Sequence, residues 1–270
     1  MPELPEVETT RLGLRPHLLG RRVEGLTVRQ DRLRWPVPPG LNKLLVGARL
    51  ADVTRRAKYL LFRFDRGTLL VHLGMSGSLR LVDPNVRPGR HDHIDIDFSS
   101  RILRLNDPRR FGAVVWAGAD PEGHPLLKDL GVEPLGSGLT GAWLHRRVTK
   151  SRRAVKNLVM DQKIIVGVGN IYACEALFRA GLHPGRPAGE LTRRDCHSLV
   201  EAIRAVLEAA ITAGGTTLKD FTDADGRPGY FARELAVYGR AGEPCPVCSR
   251  PIEITRLGNR STYFCAACQR

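Results

Sequence analysis

Met1-Pro2-Glu3-Leu4-Pro5-Glu6-Val7-Glu8 opens the chain, and the rest of the sequence is best read outward from it. Pro5 suits the first turn of a helix, where a missing N–H costs nothing. The acids around it complement the positive end of the helix dipole. Val7, Leu12, Leu14, Leu18 and Leu19 then supply an imperfect apolar face, and Gly20 a stop. The expectation is one helix from about Pro5 to Leu19. The same residues also carry a chemical reading. A small residue after the initiator predicts removal of Met1, which leaves Pro2 as a terminal secondary amine. An α-amino group has a pKa of about 7.7–8.0, and a helix N-terminus pointing at it disfavours the ammonium form further. Such an amine attacks a sugar aldehyde carbon to give a cationic iminium. Glu3 and Glu6 stand close enough in sequence to supply and accept protons.

Beyond Gly20 the apolar period changes to two. Strands are expected at Gly25–Arg29, Leu44–Val53, Tyr59–Phe64, Thr68–Leu73, Ser78–Val82, His93–Phe98, Arg101–Leu105 and Ala113–Trp116. Short connections such as Asp65-Arg66-Gly67 argue for hairpins, hence an antiparallel β-sandwich behind the N-terminal helix. Three stretches of this region look chemical. Lys58 follows Arg55-Arg56-Ala57 just before a strand, placed to contact a phosphate or carry protons. His72-Leu73-Gly74-Met75-Ser76-Gly77 puts a methionine among glycines. Asn106-Asp107-Pro108-Arg109-Arg110-Phe111-Gly112 presents Arg and Phe on a proline-started turn. Apolar and arginine side chains of this kind wedge between base steps and hold a displaced base out of the stack.

A Pro/Gly-rich stretch, Glu133-Pro134-Leu135-Gly136-Ser137-Gly138, reads as a linker. After it the sequence is helical and basic: Arg146, Arg147, Lys150, Arg152, Arg153, Lys156 and Lys163 crowd together with Asp161 as the acid among them. Gly167-Val168-Gly169-Asn170 enters a helix with Asn170 as N-cap and Gly181 as stop, a geometry that receives phosphate on backbone N–H groups. A second helix is capped by Thr192 and Asp195, shows Leu199, Ile203, Val206, Leu207, Ala210 and Ile211 on one face, and ends at Gly214-Gly215. The loop-rich stretch that follows, with Thr216, Thr217 and Tyr230, offers backbone amides to the edge of a flipped base.

Composition narrows the function classes. The 270 residues carry 42 Lys+Arg against 28 Asp+Glu, net +14, which points to a polyanionic partner and to nucleic acid first. No apolar run has the ~18–20 residues of a membrane span, and the first residues do not resemble a signal peptide; a cytoplasmic protein is expected. Cys245-Pro246-Val247-Cys248 and Cys265-Ala266-Ala267-Cys268 form a Cys-x2-Cys-x16-Cys-x2-Cys pattern, the spacing of a closed four-thiolate zinc site with no position left for a catalytic water. Between the pairs, Ile252–Leu257 and Ser261–Phe264 alternate as two strands around Gly258-Asn259, putting Arg260 at the tip of a hairpin where it can grasp a phosphate.

Together these motifs, PELPEVE, HLGMSG, DPRRFG, VGVGNIYA, GGTTLKDF and the terminal cysteines, resemble one family over nearly the whole chain: the bacterial formamidopyrimidine-DNA glycosylases. The resemblance implies an α+β protein: residues 1–132 a catalytic β-sandwich with an N-terminal helix, 133–145 a linker, 146–240 a helix–two-turn–helix DNA-binding domain and 241–270 a zinc hairpin. It implies a bifunctional glycosylase and abasic-site lyase for oxidised purines in duplex DNA, acting as a cytoplasmic, nucleoid-associated monomer with one structural Zn2+. Residue by residue, Pro2 would be the nucleophile, Glu3 the acid, Glu6 a support, and Lys58 the lysine at the damaged nucleotide's phosphate. Met75, Arg109 and Phe111 would form the wedge. His72, Lys156, Asn170 and Arg260 would contact DNA, and Thr216, Thr217 and Tyr230 would cover the everted base. Small departures are Cys174, where a polar residue is common, and Asn259 before Arg260. Two other readings differ in class or substrate. An endonuclease VIII-like enzyme shares the Pro2 chemistry but takes oxidised pyrimidines. A zinc-dependent architectural protein has no use for the Pro2 amine.

Overall fold

The computed structural model describes residues 2–215 and 234–270; Thr216, Thr217 and Tyr230 lie outside them. The chain divides into two compact units: residues up to Lys128 together with Ala213–Gly215, and Asp129–Thr212 with the described residues from Glu234 onward.

The first unit is an antiparallel sandwich behind a helix. Helix α1 spans Leu4–Leu18. After β1 (Gly25–Val28) and a short helix α2 (Leu41–Leu45), seven strands follow: β2 (Leu50–Arg56), β3 (Tyr59–Phe64), β4 (Gly67–His72), β5 (Ser78–Val82), β6 (Asp92–Asp97), β7 (Ile102–Asn106) and β8 (Ala113–Gly118). They form two four-stranded sheets, β2-β3-β4-β8 and β1-β6-β7-β5. Leu14 and Leu18 of α1, Val53, Phe62 and Val71 of one sheet, and Ile94, Leu103 and Leu105 of the other share one buried core. Alternation predicts such a core, because inward side chains recur every second residue. The expected strand Leu44–Val53 is the exception. Leu41 and Leu45 are buried one helical turn apart while Leu44 and Val46 are 40% exposed, and Gly47 then turns at φ +80 before β2 begins at Leu50. A four-residue spacing of buried leucines there outcompetes the period-two pattern.

The outer face of the β1-β6-β7-β5 sheet carries a buried ion network. Arg104, 2% exposed, donates to both oxygens of Asp95 at 2.8 Å, and Arg29 also reaches Asp95. The Arg104 and Arg29 bonds outweigh burial and hold the Asp95 carboxyl below its usual range.

The second unit is helical with a terminal hairpin: α3 (Gly141–Val148), α4 (Val155–Val159), α5 (Asn170–Arg179), α6 (Arg193–Thr212), β9 (Glu253–Leu257) and β10 (Arg260–Phe264). Thr140 caps α3 through Trp143 N–H. Thr192 and Asp195 exchange bonds at the start of α6, as their spacing predicts. The stretch expected to be a linker is fastened down, because Arg204 of α6 donates to the carbonyls of Pro134, Gly136 and Leu139. The zinc hairpin is likewise part of this unit: Cys174 of α5 packs in one apolar cluster with Val237, Ile252, Cys245 and Cys265. Among the described residues no helix is long and apolar enough to cross a membrane.

Removing Asp95 leaves the buried Arg104 guanidinium with only the more distant Asp92 carboxylate, 3.8 Å away, as its charge partner, and breaking a buried pair in this way costs up to about 3–5 kcal/mol. Asp95→Ala is therefore expected to lower the melting temperature sharply. Since the folded carboxyl has the lower pKa, the stability it supplies is present at neutral pH and is lost as pH falls through that value. Melting curves from neutral to acid pH for both proteins check this: their midpoints converge as the carboxyl is protonated.

Candidate active site and nucleic-acid interface

Glu3 is the N-cap of α1, so Pro2 stands immediately outside the positive end of the helix. Glu6 Oε2 accepts the Glu3 N–H at 2.8 Å, and the Glu3 carboxylate accepts the Glu6 N–H in return, a capping box that satisfies two of the helix's orphan amides. Pro2 is buried, and Glu3 and Glu6 are each 3% exposed. Gly215, at φ +86, lies against Glu6, where an added Cβ would come 3.4 Å from its Oε1. Three of the expected catalytic residues thus share one buried helix start.

Lys58 joins them through a clamp that sequence reasoning missed. It occupies, with Ala57 at φ +55, the turn between β2 and β3, where Arg56 pairs with Tyr59. Arg55 donates to Glu8 of α1 at 3.0 Å and to the Ala57 carbonyl at 2.9 Å, while Arg11 holds the other oxygen of Glu8 at 2.7 Å. Burial opposes the charged form of Glu8, but Arg11 and Arg55 outweigh it and hold its carboxyl below the usual range. The turn carrying Lys58, itself only 6% exposed, is therefore tied to the helix that carries Pro2.

His72 ends β4 opposite Tyr59, the two rings 4.8 Å apart. Its Nδ1 accepts the Gly74 N–H at 3.0 Å, so the neutral ring carries its proton on Nε2 as a donor. Burial above all, then the charges of Lys58 and Arg34, push its pKa down to about 4. Arg34 is a further cation of this neighbourhood that its sequence context did not single out.

The residues expected to form a wedge come from two loops that meet backbone to backbone. Gly74 lies at φ +66, and a Cβ there would come within 2.5 Å of the Phe111 carbonyl carbon. Only glycine permits that approach. Met75 follows directly, partly buried, while Arg109 and Phe111 are exposed and the guanidinium lies 5.0 Å from the Phe111 ring centre. Met75, Arg109 and Phe111 are thus brought onto adjoining loops.

In the second unit three expected contacts converge on one strand, with a correction. Asn170 is the first helical residue of α5, and Gly169 is its N-cap. The Asn170 Nδ2 donates to the Ser261 carbonyl at 2.9 Å. Lys156 is fully buried, and its Nζ donates to Thr262 Oγ1 at 2.7 Å and to the Ser261 carbonyl at 3.1 Å. Its ammonium pins the hairpin and is not part of the exposed basic face that its neighbours suggested. Arg260, next to Ser261, is exposed at the start of β10, behind a turn in which Gly258 and Asn259 have φ +55 and +58. Glu175, also missed, receives the amides of Ala236, Val237 and Tyr238 at 2.8–3.0 Å.

The sulfurs of Cys245, Cys248, Cys265 and Cys268 lie within 4.8 Å of one another, with separations of 3.8 and 3.4 Å for two of the pairs. Zn–S bonds of about 2.3 Å in a tetrahedron require sulfurs about 3.8 Å apart. The donor set fits one structural zinc.

Three family models divide the chain among them: the formamidopyrimidine-DNA glycosylase N-terminal domain over residues 1–114, the H2TH domain of the same enzymes over 130–222, and a zinc finger found in these enzymes and isoleucyl-tRNA synthetase over 242–270. The chain belongs to the formamidopyrimidine-DNA glycosylase family. Formamidopyrimidine-DNA glycosylase of Syntrophotalea carbinolica is 58% identical, and that of Methylococcus capsulatus 56%, each over the full length of both chains. Among solved structures, MutM (Fpg) of Thermus thermophilus superposes with a TM-score of 0.89 at 42% identity, covering 99% of this chain and 98% of that one. A Lactococcus lactis Fpg mutant in complex with Fapy-dG-containing DNA superposes at 0.92 and 31% identity over the whole of both chains. The α+β fold, enzyme class and zinc finger expected from the sequence are those of this DNA glycosylase family.

Two measurements check the geometry. A glycosylase of this kind stripped of zinc by a chelator loses the tetrahedron that closes its hairpin; a fall in melting temperature reversed by added Zn2+ is expected, and indifference to the chelator contradicts the site. For His72 the folded pKa lies below the ordinary 6.5, so the unfolded chain binds the extra proton and stability falls as pH drops from about 6.5 towards 4. His72→Asn keeps an acceptor for Gly74 N–H but cannot titrate, and should flatten that part of the pH–stability curve.

Proposed function

We propose that the chain excises oxidised purines, 8-oxoguanine and formamidopyrimidines, from duplex DNA and then cleaves the strand at the resulting abasic site. The observation that carries this reading is the buried helix start where Pro2, Glu3 and Glu6 lie together and Lys58 is tied alongside. The Pro2 nitrogen, freed by loss of Met1, gives its lone pair to C1′ of the damaged nucleotide. The N-glycosidic bond breaks and the base leaves with a proton. Glu3 protonates the ring oxygen as the C1′–O4′ bond opens, and a Pro2 iminium remains. That cation acidifies C2′: loss of its proton expels the 3′-phosphate, and a second elimination expels the 5′-phosphate. Water then releases Pro2 with the sugar remnant, leaving a one-nucleotide gap with phosphate at both ends.

The other groups take positioning roles. Lys58, His72, Asn170 and Arg260 receive backbone phosphates, His72 as a neutral Nε2–H donor. Met75, Arg109 and Phe111 fill the space of the extruded nucleotide. Thr216, Thr217 and Tyr230, outside the described residues, are assigned to recognition of the everted base. The net charge of +14 supplies the sequence-independent attraction to the duplex. The enzyme works as a monomer in the cytoplasm, at the nucleoid.

Pro2→Gly and Glu3→Gln separate chemistry from binding. Glu3→Gln should lower the single-turnover excision rate by roughly 10²–10⁴-fold, and Pro2→Gly should strongly reduce strand cleavage, both with duplex affinity close to that of the parent. Unchanged cleavage in either variant counts against the assigned roles. Binding without any turnover by the parent protein indicates an architectural protein, and preferential turnover of oxidised pyrimidines the endonuclease VIII-like reading. A wild-type Lactococcus lactis Fpg is itself seen in complex with oxidised-pyrimidine-containing DNA, so substrate preference has to be measured on both lesion classes.

A further inference from the structure

Asp107 lies at the base of the loop that presents Arg109 and Phe111, and none of its surface is exposed. A buried carboxyl needs a reason to be there. Its Oδ2 crosses the loop to accept the Gly112 N–H at 2.8 Å. The main chain of the same residue is held on both sides: its N–H donates to the His91 carbonyl at 3.0 Å, and its carbonyl receives His93 Nε2 at 2.9 Å and the Arg110 N–H at 3.2 Å. Within that ring of bonds Arg110 is forced to φ +56, a conformation disfavoured for a side-chain-bearing residue. Gly112 has no room for a side chain, since a Cβ would come 2.8 Å from the His72 carbonyl and 3.0 Å from Asp107 Oδ2. The other oxygen, Oδ1, is buried with no hydrogen-bond partner among the described residues. The sheet core alone gives no reason to bury this carboxyl, and an apolar residue would avoid the cost.

We propose that Asp107 is a positioning residue for strand opening: its carboxyl bridges residues 107 and 112 and so fixes the height and direction at which Arg109 and Phe111 enter the duplex. This rests on the functional reading above. Burial pushes the carboxyl upward from its ordinary range, against the pull of the Gly112, Arg110 and Arg109 amides and of His93. The bridge itself is one acceptor facing the Gly112 N–H, so Asp107→Asn, which keeps an acceptor there, should preserve most of it. Without the bridge, the strained turn relaxes and the exposed pair loses its fixed place. Misplacement of about 1 Å in a positioning group costs up to about 10²-fold in rate.

The experiment compares Asp107→Ala, Asp107→Asn and the parent on two 8-oxoguanine substrates: an intact duplex, and a duplex with a one-nucleotide gap opposite the lesion. The gap removes most of the work of separating the pair. A 2-aminopurine beside the lesion reports unstacking directly. Asp107→Ala is expected to lose roughly ten- to hundredfold in kcat/KM on the intact duplex and at least several-fold less on the gapped one, with slower unstacking. Asp107→Asn is expected to recover most of that loss. An equal loss on both substrates, no loss on either, or Asn behaving like Ala overturns the proposal; melting temperatures identify a variant that merely fails to fold, and Asn then carries the test. If the parent protein processes neither 8-oxoguanine substrate, the functional reading fails instead, and the unstacking signal still judges Asp107.

Discussion

The reciprocal bonds between Glu3 and Glu6 hold the site together. Chain termini fray unless tied down, yet a terminal amine used as a nucleophile must stand within a fraction of an ångström of its target. The capping box fixes the residue next to Pro2, the buried Leu4 and Val7 seat the helix on the sandwich, and Glu8 takes Arg55 from the neighbouring hairpin. Each bond has a local partner within the first unit. The outcome is a buried Pro2 with the positive end of α1 directed at it.

Elsewhere the fold uses buried charges in a consistent way. The Asp95–Arg104 pair is an ordinary internal ion pair that fastens two strands. Glu175, Asp107 and Lys156 differ: their polar ends are turned to main-chain groups of an irregular segment or hairpin, respectively the 236–238 amides, the Gly112 amide and the Ser261 carbonyl. Loops without regular hydrogen bonding must find partners for their backbone groups, and these buried side chains supply them. Arg109, Phe111 and Arg260 sit on or beside segments held in this manner, so exposed groups that would meet DNA are supported by buried ones.

Much of this was legible in the sequence because it is local. Tyr59–Phe64 and Ser78–Val82 have the bounds that alternation gives them, and the Thr192–Asp195 box and the Gly258-Asn259 turn follow from residues a few positions apart. The spacing of the four cysteines identified the metal site without any geometry. What was hidden depends on distance along the chain. Lys156 sits in a run of cations that looks solvated, and only its bond to Thr262, 106 residues away, reveals that it is buried. Arg55 meets Glu8 across 47 residues and Glu175 meets the 236–238 segment across more than 60. Leu44–Val46 failed for a different reason, as an apolar run that satisfies both periods until the burial of Leu41 and Leu45 decides between them.

The most direct measurement is borohydride trapping on a duplex containing 8-oxoguanine opposite cytosine, read by intact mass and peptide mapping. The expected result is a covalent adduct on a protein lacking Met1, mapped to Pro2, with strand cleavage suppressed in proportion. An adduct on a lysine, or turnover of the lesion with no trappable intermediate, would contradict the claim that the N-terminal proline is the nucleophile.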